Sequence, residues 1–345
     1  MFEAKKIAVV IPAFNEERLI TRVMETLPQF VDAAYVVDDT STDSTCKVVQ
    51  NFIQRNGEEF IKFHLLKHPQ NQGVGAAIIT GYLRAVHDGY DIVAVMAGDA
   101  QMDPADLEHI ISPVARGEAD YVKGNRLFTG EAWKQIPRYR YIGNSVLSLL
   151  TKIASGYWHV ADSQTGYTAM ARKTIDLIPI ELLYKRYGYP NHLLVMLNVF
   201  RQRVMDIPIQ PVYGIGEVSG IKLHKVIPRM SWLLLKQFIW RIKETYIIRD
   251  FHPLVFFYLF GITQLALCFP FILRLIWIWI TQNYTPQVTA LIVVFSCISG
   301  LQLLLFGMWF DTEYNRAISV HPNPNRAWPN QQNSESTSED HDSSQ

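Results

Sequence analysis

The chain has 345 residues and equal numbers of basic and acidic side chains, 32 each, so its formal charge is zero. A balanced chain projects no long-range positive field, and nucleic acid is not expected as a partner. The three cysteines, Cys46, Cys268 and Cys297, are too scattered for a disulfide framework or a metal knuckle, and Met1–Lys6 is too short and charged to resemble a signal peptide.

In chain order, Ile7–Ile11, Ala34–Val37 and Ile92–Met96 are short apolar runs of the kind that form strands buried on both faces. Amphipathic segments of helix length lie between them, at Glu16–Phe30, Asp43–Arg55 and Gly75–Asp88. Asp43 or Ser44 is placed to cap the second of these, and Pro104 to open a further helix. This alternation predicts an α/β fold with a mainly parallel, Rossmann-like sheet. Ligands of such sheets sit beyond the carboxyl ends of the strands, and polar residues gather at those ends here. "IPAFNEE" places Asn15, Glu16 and Glu17 after the first strand, "VVDDTSTDST" places Asp38 and Asp39 after the second, and "MAGDAQMDP" places Asp99 and Gln101 after a later one. The glycine-bearing turn "NQGVGAA" opens a helix between them, with amide groups that could face a base or phosphate. Asn15 and Asp43, taken singly, read as caps rather than ligands.

The composition changes beyond residue 225. Leu254–Ile280 carries one charge, Arg274, and Val288–Phe310 carries none. Roughly 20 helical residues cross a bilayer core, so both runs are long enough to span. Seven Lys or Arg and one acid lie between Lys222 and Arg249, while the loop Thr281–Gln287 has no Lys or Arg. The positive-inside rule then puts residues 1–249 and the tail on the cytoplasmic side. Within 226–249, Trp232, Leu235, Ile239, Ile242 and Tyr246 recur at helical spacing, and Arg229, Lys236 and Lys243 recur every seven residues. That pattern suits a helix lying in the membrane interface. The expected organisation is a catalytic domain at 1–225, an interfacial helix at 226–249, a transmembrane hairpin at 250–312, and a polar, disordered tail at 313–345.

"IPAFNEE", "VVDDTSTDST", "NQGVGAA" and "GDAQMDP" together make the chain resemble the family 2 glycosyltransferases, which are inverting nucleotide-sugar enzymes with the GT-A fold. "KGNRL", "ADSQTGYTAM" and "EVSGIKL", followed by two spans, narrow the resemblance to the polyprenyl-phosphate hexosyltransferases, the branch of dolichyl-phosphate mannose synthase. The resemblance implies transfer of a hexose from a nucleoside-diphosphate sugar to a polyprenyl phosphate at the cytoplasmic membrane face. It implies that Pro12, Ala13, Asn15, Glu16, Asp39, Gly73 and Asp99 line the nucleotide-sugar pocket. It also implies a divalent cation, Mg²⁺ or Mn²⁺, on Asp99 and Gln101. The branch has a D-x-D-x-Q pattern at that point, and Ala97 stands where its first Asp would be. A hard cation often keeps waters and takes phosphate oxygens, so a reduced protein ligand set is compatible with weak binding in the absence of nucleotide.

For the chemistry, Arg126 in "KGNRL", Asp162 in "ADSQTGY" and Lys222 in "EVSGIKL" are the catalytic candidates, and Arg138 and Arg140 are candidates for the acceptor phosphate. Many relatives carry an "ED"-like general base where this chain has "YPNHLL", with Asn191 and His192 and no acid. A phosphate monoester, with a second pKa near ~6, is already ionised at neutral pH and needs little base help. Asp162 could therefore orient a cation instead of taking a proton. Two other readings stay open: transfer to a lipid hydroxyl or lipid-linked glycan, and a silent membrane-anchored nucleotide-sugar binder.

Overall fold

Apolar residues on both faces of consecutive strands can be shielded only by a sheet covered on both sides. The computed structural model describes residues 1–56, 61–127, 138–210, 212 and 223–322, and it contains such a sheet. Ile7–Ala13 (β1), Ala33–Asp38 (β2) and Ile92–Val95 (β4) are buried at every position, whereas Lys62–Lys67 (β3) is half-exposed with a lysine at each end. Charged ends and partial exposure suit a strand at the sheet's margin, where unpaired backbone must not recruit another chain.

Tyr121–Asn125 (β5), Thr168–Ala171 (β6), Val204–Pro208 (β7) and Ser319–Val320 (β8) complete the order β3-β2-β1-β4-β6-β5-β7-β8. β1 to β4 run parallel, and so do β5, β7 and β8. β6 is antiparallel to both β4 and β5. The reversal matters for the site: the residues that lead into β6 arrive at the same edge where the parallel strands end.

Helices Ile20–Glu25 (α1), Thr45–Asn56 (α2), Val74–His87 (α3) and Leu107–Ala115 (α4) follow β1, β2, β3 and β4 in turn. The first is much shorter than the expected 16–30: the Glu16 and Glu17 amides donate to the Thr45 and Asp43 side chains, and Pro28 lies just past its end. Asp43 caps α2 by accepting the Thr45 amide at 2.9 Å, and Asp103 accepts the Ala105 amide at the same distance before the turn opened by Pro104. Arg138–Ser155 (α5), Arg172–Leu177 (α6) and Tyr189–Val199 (α7) follow. The core beneath these helices is built from Ile7, Val9, Ile11, Val36, Ile92, Ile110, Val122 and Ile207, among others. Each such side chain contributes roughly 1.5–3 kcal/mol by leaving water.

The chain folds as two units, 1–234 with 318–345, and 235–317. The division falls inside the helix Leu223–Lys243 (α8). The region expected to be a polar tail from 313 is ordered at its start: the last helix runs to Tyr314, a turn spans Arg316–Ile318, and β8 pairs with β7. Two backbone partners on an existing sheet edge are enough to fix so short a strand. The remainder of that tail, 323–345, lies outside the described residues.

In the second unit, Leu254–Gln282 (α9) and Gln287–Tyr314 (α10) form a hairpin and are long and apolar enough to span a membrane. Little of their surface is covered: only 17% and 11% of the most apolar windows is buried. A core helix of a soluble protein would be covered, so the bare apolar surface favours lipid as its solvent. Helix–helix packing relies on small residues, since a Cβ on Gly261 would come within 3.0 Å of the Gly300 carbonyl. Cys268 and Cys297 are free thiols whose sulfurs lie 3.7 Å apart across the hairpin.

One ion pair in this unit is wholly enclosed. Arg241 of α8 grips Asp311 of α10 with both terminal nitrogens, at 2.7 and 2.9 Å. The Tyr246 hydroxyl and Asn315 amide also donate to Asp311. Tyr246 lies in a π-helical turn, Glu244–Arg249, that links α8 to the first span. Removing one member of a buried pair strands the other, at about 3–5 kcal/mol. Arg241→Met should therefore lower the unfolding temperature in detergent sharply, while Arg241→Met combined with Asp311→Leu should recover most of the loss. A double variant no better than the single one would show that the pair is not the seat of the effect.

Candidate active site

The expected site residues of β1, β2 and β4 lie just past the ends of these strands, and there the backbone bends abruptly. Asn15, Thr40 and Ala100, just past β1, β2 and β4, all have left-handed backbone, with φ of 60°, 66° and 56°. Non-glycine residues hold this conformation at a cost and only where neighbours over-determine it. The neighbours do so here. The Asp39 amide donates to the Ala13 carbonyl at 3.0 Å and the Gly98 amide to the Pro12 carbonyl at 3.2 Å, so Pro12 and Ala13 tie the three tips together through their backbone. The Asn15 side-chain oxygen accepts from the Thr42 amide at 2.8 Å and from its hydroxyl at 3.2 Å, while the Asn15 amide donates to Ser41 at 2.9 Å. Asn15 thus shapes the tip by tying it to the Ser41–Thr42 loop, and it caps no helix: α1 starts after Leu19 with no side-chain cap.

Asp39 is buried, and both its oxygens are taken. Oδ1 accepts from the Gln72 amide and faces His68 Nδ1, each at 2.8 Å, and Oδ2 accepts from the Gly73 amide at 2.7 Å. The amides of the "NQG" turn therefore point at Asp39, and not at an open phosphate site as the glycine pattern suggested. His68 had no motif to reveal it; its other nitrogen lies 2.9 Å from Thr80. Gly73 is required twice over: its φ is +99°, and a Cβ would lie 2.7 Å from the Lys185 carbonyl.

At the β4 tip, Asp99 Oδ1 accepts the Gln101 amide at 3.1 Å. Ala97 donates its amide to the Met102 sulfur at 3.2 Å. Glu16 faces this tip. Burial first, then the charges of Asp99 and Asp43, push its carboxyl up to about 7. Among the described residues no group of three or more His, Cys, Asp or Glu could hold a metal unaided. The oxygens of Asp99 and Gln101 make an incomplete set, and the repulsion between Glu16 and Asp99 is the kind a cation relieves. These groups fit a divalent ion that takes its remaining ligands from a diphosphate.

β6 brings in the second half of the site. Its Thr168 pairs with Val95, so the loop that leads into it runs beside the β4 tip, and Tyr167 donates to the Asp103 carbonyl at 2.8 Å. In that loop Asp162 is buried and held by Arg126, which stands just past β5. The guanidinium reaches it through Nε at 2.7 Å and Nη2 at 3.3 Å. The Gln164 amide adds a third donor at 3.0 Å. Burial would raise the Asp162 carboxyl, but Arg126, Lys123 and the Gln164 amide together hold it below the ordinary carboxylate range. Asp162 is thus placed to orient Arg126 and is poorly suited to accept a proton. Lys123, the first residue of "KGNRL", from which only Arg126 was expected to act, is fully buried and donates to the Thr165 carbonyl.

The "YPNHLL" segment starts α7. Asn191 is fully buried, and its side-chain oxygen accepts from Gln164 at 2.9 Å. His192 Nδ1 accepts the Tyr184 amide at 3.0 Å, and burial lowers its pKa to about 4. A neutral, engaged imidazole is no proton shuttle at neutral pH. Lys222 and the side chains of Arg138 and Arg140 lie outside the described residues.

The glycosyl transferase family 2 profile, described as "Glycosyl transferase family 2", matches residues 8–178. A UDP-N-acetylglucosamine–dolichyl-phosphate N-acetylglucosaminyltransferase of Methanococcus voltae is 33% identical over 218 residues, covering 61% of this chain and 86% of the relative. An undecaprenyl-phosphate mannosyltransferase of Micrococcus luteus is 26% identical over 223 residues, covering 62% and 88%. Among solved structures, glucosyl-3-phosphoglycerate synthase of Mycobacterium tuberculosis superposes with a TM-score of 0.51 at 19% identity, over 69% of this chain and 81% of that one. The same enzyme has been solved with Mn²⁺ and UDP, and with Mg²⁺ and UDP, each superposing with a TM-score of 0.50. At that identity the likeness bears on the fold, which is GT-A.

Glu16 gives a pH test of the site's electrostatics. Its folded value of about 7 lies above the ordinary 4.5 of the unfolded chain. Stability from the protonated carboxyl is full below the unfolded value and is lost as pH rises through the folded one. Glu16→Gln should therefore stabilise the protein at pH 8, by on the order of 1 kcal/mol because water screens this half-exposed group, and change little at pH 4. Unfolding temperatures across that range check it; an equal effect at both pH values would refute the assignment.

Proposed function

The chain belongs to glycosyl transferase family 2 and is a glycosyltransferase of GT-A fold; on that premise we propose that it moves a hexose from a nucleoside-diphosphate sugar to a polyprenyl phosphate. The observation that carries this reading is the buried Asp162 locked onto Arg126 at the strand-tip edge, with no acid in "YPNHLL". A hydroxyl acceptor needs a base to take its proton. Asp162 is occupied and held ionised, Asn191 has no basic atom, and His192 is neutral and hydrogen-bonded. A phosphate acceptor, already ionised at pH 7, needs none of them. The names of the relatives from Methanococcus voltae and Micrococcus luteus support the same acceptor class.

In the proposed reaction an acceptor phosphate oxygen attacks the anomeric carbon, and the bond from that carbon to the diphosphate breaks. The electron pair leaves on the nucleoside diphosphate, and a single displacement inverts the centre. Arg126, fixed by Asp162, would meet phosphate charge with a pre-oriented guanidinium. A Mg²⁺ or Mn²⁺ ion held by Asp99 and Gln101 would supply Lewis-acid stabilisation of the departing diphosphate. Pro12, Ala13, Asn15, Glu16 and Gly73 would form the nucleotide-sugar pocket, with Asp39 securing its "NQG" wall. Lys222, Arg138 and Arg140 would add positive charge for the acceptor.

The membrane segments fit a lipid substrate. On α8, Trp232 and Ile239 are exposed, as is Leu235, alongside Lys236. An apolar face flanked by cations suits a helix at a bilayer interface, with the soluble unit on the cytoplasmic side, where Lys and Arg concentrate.

Labelled nucleotide sugars offered with a polyprenyl phosphate should give a lipid product released by mild acid. Arg126→Ala and Asp99→Ala should each lower kcat/KM about 10²–10³-fold, and chelation of divalent ions should stop turnover. Product formed only with a polyprenol would establish the hydroxyl-acceptor reading instead, and absence of any product with folded protein would establish the silent binder.

A further inference from the structure

Asp206 lies on β7, beneath the loop that carries Asp162, and one of its oxygens does two jobs. Oδ2 accepts the Asn125 side-chain amide at 2.8 Å and the Ala161 backbone amide at 2.9 Å. Asn125 immediately precedes Arg126, and Ala161 immediately precedes Asp162. Asn125 also accepts the Leu127 amide at 2.9 Å, so the backbone on both sides of Arg126 is tied to Asp206 through one carboxamide.

Lys123 completes the arrangement. In the parallel register of β5 and β7 it stands opposite Asp206, and it donates to the Thr165 carbonyl in the Asp162 loop. The loop is thus held at Ala161 by the acid and at Thr165 by the base, with Asp162 and Gln164 between. Both side chains are buried. Among the described residues the other Asp206 oxygen has no hydrogen-bond partner, and the bonds of Oδ2 go to the two chain segments that bear the Arg126–Asp162 pair.

We propose that Asp206, together with Lys123, is a positioning residue for this reaction: it holds the Arg126 and Asp162 segments in register so that the guanidinium presents a fixed face to the acceptor phosphate. This rests on the reading of Arg126 as a phosphate contact. The chemistry assigns each variant a distinct outcome. Asp206→Asn keeps an oxygen that can accept both amides. Asp206→Leu keeps the volume and removes the acceptor. Asn125→Ala cuts the link to Arg126 without touching Asp206.

Turnover with polyprenyl phosphate is measured per folded protein, with the KM of each substrate. Asp206→Leu and Asn125→Ala should lower kcat about 30–100-fold and raise the acceptor KM, leaving the donor KM within about twofold. Asp206→Asn should restore most of kcat. A merely structural role predicts a lower unfolding temperature with kcat per folded molecule unchanged, or donor and acceptor KM rising together, and either result overturns the proposal. If Asp206→Leu does not fold, Asn125→Ala carries the same test.

A second measurement does not depend on the reaction. Unfolding temperatures of Asp206→Leu, Arg126→Ala and the double variant should be non-additive, because the two residues share one scaffold. Strict additivity would overturn the positioning link even in an active enzyme. Non-additivity in a protein that never transfers sugar to a lipid phosphate would instead place the fault in the proposed function.

Discussion

A sheet covered on both faces leaves a chain one kind of place for polar chemistry. Any charge within β1, β2 or β4 would be stripped of water without a partner, so these strands are apolar up to Asp38, which ends β2 and accepts the Ser41 amide. The expected site residues of these three strands begin where the strands end, and Asp39 is buried there with partners of its own. Three tips then turn through left-handed backbone, and the carbonyls of Pro12 and Ala13 fasten neighbouring tips together. Preorganisation of the edge is thus a property of the backbone before any ligand arrives.

The single reversal at β6 doubles what that edge can carry. Parallel strands deliver their carboxyl ends there, and an antiparallel one delivers the segment before its start. This is how Asp162 comes to face Arg126, although 36 residues separate them. The pairing joins Arg126, which alone could read as a surface cation, to the buried Asp162 in one fixed group at that edge. It also engages Asp162, the carboxylate the motifs offered as a base, and under the proposed function the acceptor phosphate, already ionised, needs no proton taken from it.

Buried charge recurs in the second unit with a different purpose. Arg241 and Asp311 are paired where α8, the π-helical turn and the end of α10 converge. Such a pair adds little net stability compared with apolar residues of the same shape, but it tolerates few alternative packings. Where apolar helices meet lipid, such a pair is one of the few means of fixing an angle, since lipid gives no hydrophobic preference between apolar faces.

Much of this was legible in the residues alone. Periodicity located β1, β2, β4 and both spans to within a few residues, because burial on two faces and solvation by lipid impose patterns on contiguous sequence. The motif tips placed Asn15, Asp39 and Asp99 at one edge, because a strand must end where its apolar run ends, whereas Asp162 was marked only by the resemblance. What the sequence could not decide was partnership. Asp39 closes on the turn at Gly73 and not on an open pocket, Lys123 and Asp206 brace the Asp162 loop, and Arg241 finds Asp311 across 70 positions. Each partnership depends on which strand lies beside which and in what register. That is settled by the packing of the whole sheet or hairpin, and no local spacing records it.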